Sequence, residues 1–235
     1  MPTEANPASS NRLLSRISEK DFALLSPHLK RVDLPLRMKL EIRNKPIDFI
    51  YFPESGYASV VANGSGRRSI EVGLIGREGM TGLPVIMGTD RSTNETFMQC
   101  EGAGLRISAA NLRKTMVPGG DLHRHFLLYA HAFSIQTTYT AIANGRSNIE
   151  ERLARWLLMS RDRIDTDKIP MTHEFLSLML GVRRSGVTVA LHLLAKDGMI
   201  EAHRGVVTIL NRQGLEKISN GAYGIPEAEL ERLFD

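Results

Sequence analysis

The stretch from Met171 to Leu210, MTHEFLSLMLGVRRSGVTVALHLLAKDGMIEAHRGVVTIL, constrains the fold more than any other part of this 235-residue chain. Thr172 is placed to cap a helix running to about Leu180, with Phe175, Leu176 and Leu180 on its inner side. Gly181 supplies a turn. A second helix is expected from Arg184 to Lys196, because Val187, Leu191 and Leu194 recur at the i, i+4, i+7 spacing of one buried face. Two short helices about a glycine turn have the helix-turn-helix pattern. MIEAHRGVVTIL then reads as two β segments around His203, Arg204 and Gly205, a wing with a cation at its tip.

Counting about 100° per residue from Val187 puts Ser185, Thr188, Val189 and His192 on the opposite side of the second helix, with Arg184 at its flank. These are side chains that a major groove admits. Two adjacent arginines such as Arg183 and Arg184 ordinarily mean a solvated surface. Set in order with the two helices, the glycine turn and a basic wing, they point to double-stranded DNA instead, with Thr172 and Arg204 as further contacts. Net charge adds little, since +4 is modest. Its placement says more: Arg146 to Leu215 holds eleven Lys and Arg against eight Asp and Glu.

Upstream the pattern changes. Residues 1–14 are polar at first and read as a loose tail. SEKDFALLSPHL follows as a short helix capped by Ser18 and ending near Pro27. From Val32 to Ile107, short β-type segments are divided by NGSG, GREG and EGAG, which suggests a compact β-roll, jelly-roll-like in type, with ASVVANGSGRRSIEVGLI as its clearest hairpin. SAANLRKTMV is a short helix stopped by the Pro-Gly-Gly at 118–120. A long helix then runs from Asp121 to Asn144, with Leu122, Phe126, Tyr129 and Phe133 at intervals of four, three and four. That stripe suits pairing with a twin helix, so a homodimer is expected; packing on the chain's own roll is the plainer alternative. NGRSN at 144–148 is a hinge. Ile149, Leu153, Trp156, Leu157 and Ser160 mark another helix, and RIDTDKIP a polar link. The expected class is α+β: a sensor domain over 15–120, a dimerisation helix over 121–145, a winged helix-turn-helix over 146–216 and an extension over 217–235.

Several chemistries are excluded by counting. Cys100 is the only cysteine, which removes an intramolecular disulfide, a thiolate zinc site and a cysteine-ligated iron-sulfur cluster. It is expected to act as a small buried hydrophobe. In HRHFLLYAH, His123 and His125 point roughly 160° apart and His131 takes a third side, so no helical metal pair forms. No Ser/His/Asp set, P-loop or dinucleotide fingerprint appears, and an enzyme is not expected. No apolar run approaches a membrane helix and the N-terminus lacks a signal-peptide pattern, so the expected location is cytoplasmic, without a membrane partner.

With these elements in order, the chain resembles the Crp/Fnr family of bacterial transcription regulators over nearly its whole length. LGVRRSGVTVALHLLAKDGMIEAHRGVVTI is the most specific segment: Gly181, Arg184, Val187, Leu191, Leu194 and Ile200 fall on the family's pattern. The resemblance implies a homodimer whose second helices enter the major groove, with Arg184 at the position of a base-reading arginine and RNA polymerase as a further partner. Cyclic-AMP-responsive members have Ser-Arg-Glu-Thr-Val and then Gly-Arg here. This chain has Arg183 to Val189, without the acidic residue and the second arginine, so the half-site read by those members is not carried over. For an effector, the family's Gly-Glu-Leu and Arg-Ser suggest Glu78, Arg91 and Ser92, and projection back from Arg152 adds Thr137 and Thr138. Glu78 and Arg91 are thirteen residues apart rather than about ten, so cyclic AMP is expected to bind weakly or not at all. The remaining reading of the C-terminal unit is a module whose winged helix contacts protein.

Overall fold

A computed structural model describes residues 9–64 and 69–234. The chain opens with two short helices, α1 (Arg12–Ser15) and α2 (Glu19–Leu25), and a 3-10 turn at Ser26–His28. Strands β1 (Lys30–Leu34), β2 (Lys39–Glu41), β3 (Phe49–Pro53), β4 (Tyr57–Asn63) and β5 (Ser69–Ile75) follow, then the small helix α3 (Leu83–Ile86), β6 (Glu95–Cys100) and β7 (Gly102–Ser108). Next come α4 (Ala109–Thr115), α5 (Asp121–Arg146) and α6 (Ile149–Arg161). The C-terminal third holds β8 (Lys168–Pro170), α7 (His173–Leu180), α8 (Arg184–Lys196), β9 (Ile200–His203), β10 (Val206–Ile209), α9 (Arg212–Ile218) and α10 (Ile225–Phe234).

Two sheets make the roll, in strand orders β1-β7-β3 and β2-β6-β4-β5. The alternation of β3 shows how sequence places the core. Ile50 and Phe52 face one way and join Leu13, Leu14, Ile107, Leu112 and Phe126 in an apolar cluster, while Tyr51 faces the other and packs with Leu34, Leu40, Ala58 and Met98. The tip of the β4–β5 hairpin falls at 65–68, outside the described residues.

The chain divides into two compact units, one formed by 1–60, 75–134 and 230–235, the other by 61–74 and 135–229. This division cuts across the domain boundaries expected from sequence. The expected loose tail does not extend to residue 14: Asn11 caps α1 through the Leu14 amide, and Leu13 and Leu14 are buried. The signal was present as Asn followed by an apolar pair, a short cap motif. Nor is 217–235 a separate extension. Leu230 and Phe234 pack on the apolar cluster of the first unit, where Glu231 receives Arg12 and Arg16, because their i, i+4 spacing gives α10 an apolar edge.

Within the stretch 144–148, expected as a hinge, the helix break falls at 147–148. Helix α5 runs through Arg146, and Asn148 then starts α6 in a reciprocal capping box with Glu151. RIDTDKIP is not only a link, since Lys168–Pro170 adds a third strand to the wing, in order β8-β10-β9. Cys100 is half-buried rather than buried, and burial raises its thiol above the usual range. His123 and His125 serve their own unit: Nε2 of each lies against a backbone carbonyl, Ile86 and Leu13 respectively. No single helix among the described residues is long and apolar enough to cross a membrane.

Candidate nucleic-acid interface

The start of α7 is fixed by Thr172, whose hydroxyl accepts from the Phe175 amide at 3.2 Å. Leu176, Met179 and Leu180 form its buried side, while Phe175, expected there, is half-buried. The helix ends at Gly181, whose φ of +62° lies in the left-handed region that a side chain would strain. A guanidinium nitrogen of Arg152 on α6 donates to the Leu180 carbonyl, satisfying one of the orphan acceptors at this end. Val187, Ala190, Leu191 and Leu194 hold α8 to the unit, as the spacing of the apolar positions requires.

The opposite side of α8 is open. Arg183, Arg184, Ser185, Thr188, Val189 and His192 are all exposed, as are Thr172 and Arg204. Arg183 is the N-cap of α8 without a side-chain capping bond, and Arg184 is its first residue. Cations at a helix N-terminus oppose the helix dipole and cost stability. Among the described residues neither arginine, nor Arg204, has a carboxylate partner. Three exposed guanidinium groups without a carboxylate partner thus stand in the helix-turn-helix and its wing, two of them at the start of α8 beside its short polar side chains.

Two hydrogen bonds assemble that surface. Residues 203 to 206 form a two-residue turn, His203 pairing with Val206, and Gly205 takes the left-handed position at φ +76°. The Met171 amide donates to the Gly205 carbonyl at 2.7 Å, pinning the wing tip to the start of α7. His173, the first residue of α7, lies with Nδ1 3.1 Å from the Thr188 hydroxyl and so joins α7 to the exposed face of α8. His173 was missed in the sequence because fifteen residues separate it from Thr188 and only the crossing of α7 over α8 makes them neighbours. His203 is engaged differently, at 3.0 Å from Glu201 on its own strand.

Glu78, Arg91 and Ser92, the candidate effector residues of the first unit, each hold a local partner. Arg91 is exposed and its guanidinium is held by the adjacent Asp90, at 2.9 and 3.2 Å. Glu78 accepts from the Gly76 amide at 3.2 Å, within its own turn, and Ser92 accepts from the Asn94 amide at 3.0 Å. These three lie in the first unit, whereas Thr137 and Thr138 belong to the second. A cyclic nucleotide needs a free guanidinium for its phosphate, and Arg91 already has a carboxylate on it. The residues therefore do not fit that group.

The stripe assigned to a dimer seam is also corrected. Leu122, Phe126 and Tyr129 are buried inside the first unit's own apolar cluster, and Phe133 is half-buried beside the Tyr129 ring at 6.5 Å between centroids. Periodicity reports that a face is covered but not by what. The plainer alternative, packing on the chain's own roll, is the observed one.

Residues 151–218 match the family model of the Crp-like helix-turn-helix domain. Comparison with curated protein sequences gives no match. Among solved structures, the chain is similar to one assigned to the Crp/Fnr family of transcriptional regulators from Eubacterium rectale, with a TM-score of 0.70 at 17% identity, covering 90% of this chain and 99% of that one. FixK2 from Bradyrhizobium japonicum gives 0.69 at 15% identity, over 81% and 96% of the two chains. A transcriptional regulator of the CRP family from Thermus thermophilus gives 0.68 at 15%, over 83% and 98%. The chain thus has the fold of Crp/Fnr regulators and carries a Crp-like helix-turn-helix domain.

Proposed function

We propose that this chain is a sequence-specific DNA-binding transcription regulator of the Crp/Fnr type, acting on double-stranded DNA as a homodimer in the cytoplasm. The observation that carries this reading is that Arg183, Arg184 and the polar face of α8, with Arg204 on a wing tip bonded to the start of α7, are all exposed, the three arginines without carboxylate partners among the described residues. Arg184 reads a base and Arg204 touches a phosphate. Because base contacts carry sequence information and phosphate contacts do not, their substitutions fail differently.

Arg184→Ala is expected to cost roughly 1 to 3 kcal/mol on a site selected by the wild-type protein and little on scrambled duplex. Arg204→Ala weakens both about equally and lowers the salt slope by about one unit per site. Fluorescence anisotropy at several salt concentrations separates the two. An operator preference left intact in Arg184→Ala rules out base reading through that residue. A winged helix that contacts protein would show no salt-dependent duplex binding at all.

The seam of the homodimer is proposed on the exposed side of α5, where Leu127, His131, Thr138 and Ile142 recur at intervals of four, seven and four. Leu127→Glu should separate the protomers in light scattering while leaving each one folded. Control by an effector is proposed to use the roll, and calorimetry with cyclic AMP is expected to show no binding that depends on Arg91. An activating role would add RNA polymerase as a partner.

A further inference from the structure

The hydroxyl of Thr188 lies 3.1 Å from the Arg184 carbonyl oxygen and 3.1 Å from Nδ1 of His173. A carbonyl can only accept, and a hydroxyl has a single proton to give. Both contacts are made together only when Thr188 donates to Arg184 and receives from His173, so Nδ1 of the imidazole bears a hydrogen. Nε2 has no partner among the described residues. In the neutral ring Nε2 therefore presents a bare lone pair, and on protonation it becomes a cationic N–H donor.

Resting on the DNA-binding reading above, we propose that His173 is a further DNA-contacting residue: Nδ1 holds Thr188 on α8, and protonated Nε2 meets a backbone phosphate oxygen. A phosphate is the partner, rather than a base, because His173 opens the first helix of the pair, the one that crosses the DNA backbone while the second enters the groove. It also adjoins the wing tip through the 2.7 Å bond from Met171 to Gly205. With Nδ1–H kept on Thr188, a neutral ring would turn its lone pair to the phosphate and be repelled, so a contact that keeps both Thr188 bonds draws in one proton per protomer. The charged and titratable groups around this surface are Glu174 on α7, Arg183, Arg184 and His192 on α8, and Arg204 with the Glu201–His203 pair on the wing. An incoming phosphate adds the negative charge that favours an imidazolium. His192 and His203 are also present, so the contribution of His173 is read as a difference between variants.

Two amides divide the roles of the ring. His173→Asn keeps an N–H near the place of Nδ1 and has nothing at Nε2, whereas His173→Gln reaches the place of Nε2 with a donor that does not titrate. Anisotropy of the intact protein on a labelled duplex of mixed sequence, at about pH 6 and about pH 8 across a salt series, reads both. Wild type is expected to bind tighter at the lower pH, by up to about tenfold for each pKa unit that the contact adds. His173→Asn should lose most of that gain and about one unit of salt slope per protomer. His173→Gln should retain more of the affinity at high pH and show the same flattened pH response. An Asn variant with the pH response and salt slope of wild type overturns the proposal, and if that variant does not fold, a wild-type pH response in the Gln variant does so. Wild-type protein that binds no duplex at either pH defeats the DNA-binding reading itself, a separate outcome.

Discussion

From Asp121 to Ser134, α5 buries Leu122, Phe126 and Tyr129 in an apolar cluster, whereas from Ile135 to Arg146 its buried side chains include Gln136 and Thr140. In the second half, Gln136 receives the Leu74 amide at 2.7 Å and donates to the Leu74 carbonyl at 3.3 Å, as a neighbouring strand would. Thr140 accepts from the Arg155 guanidinium at 3.1 Å, and that buried cation also donates to the Ala222 carbonyl at 2.9 Å. Burial lowers the pKa of Arg155, but a guanidinium is not deprotonated in proteins, so the group is a permanent cation bonded to neutral acceptors. Trp156 adds a bond from its indole nitrogen to Glu71 at 2.8 Å.

The difference is one of tolerance. Apolar contact scales with area and survives small displacements, while a buried amide matched to one residue's N–H and C=O allows one register. The first half of α5 is an anchor. The second half sets where the 69–74 strand and α6 stand against the helix within their unit.

Breaking the anchor should have the largest effect. Phe126→Ala removes a fully buried ring and is expected to cost about 3 to 5 kcal/mol in urea denaturation, from lost transfer energy plus the cavity left behind. Gln136→Met keeps the volume and removes both bonds to Leu74. It should cost roughly 1 to 3 kcal/mol, with faster hydrogen exchange at the Leu74 amide, because buried backbone groups lose their partner. Wild-type stability and exchange in that variant would erase the contrast between the two halves.

The smallest effect sharpens the anchor half by pH. His125 is held by burial below the usual histidine range, with Nε2–H donating to the Leu13 carbonyl and its ring 4.9 Å from that of Phe234. The unfolded chain takes up a proton near the ordinary value of about 6.5, which the folded chain resists. Stability should therefore decline as pH falls below that value, and level off only once the folded-state group also protonates. A thermal-melt series from neutral to acid pH should show a shallower decline for His125→Gln than for wild type. Parallel declines would mean that His125 is not the group responsible.

The C-terminal unit was the most legible part of the sequence. Thr172, Gly181 and the Val187, Leu191, Leu194 spacing state helix starts, stops and faces through local chemistry, and Arg184, Ser185, Thr188, Val189 and His192 are exposed on the side of α8 where the count of 100° per residue put them. The effector set was legible only as residue types. Arg91 has the right chemistry for a phosphate, but Asp90, its immediate neighbour, takes its charge, and adjacency in sequence does not say which rotamer wins.

What the sequence determined by itself was therefore periodic and local: the roll of short strands, the long helix, the turn at Gly181 and the wing around Arg204. Tertiary structure alone decided which surfaces meet. It turned the Leu122, Phe126, Tyr129 stripe onto the chain's own roll, brought Leu13 and Leu230 into that same cluster from opposite ends of the chain, and set His173 against Thr188. The physical reason is that periodicity and capping are properties of neighbours along the backbone. The partner of a buried face is chosen by the packing free energy of the whole unit, which no single segment contains.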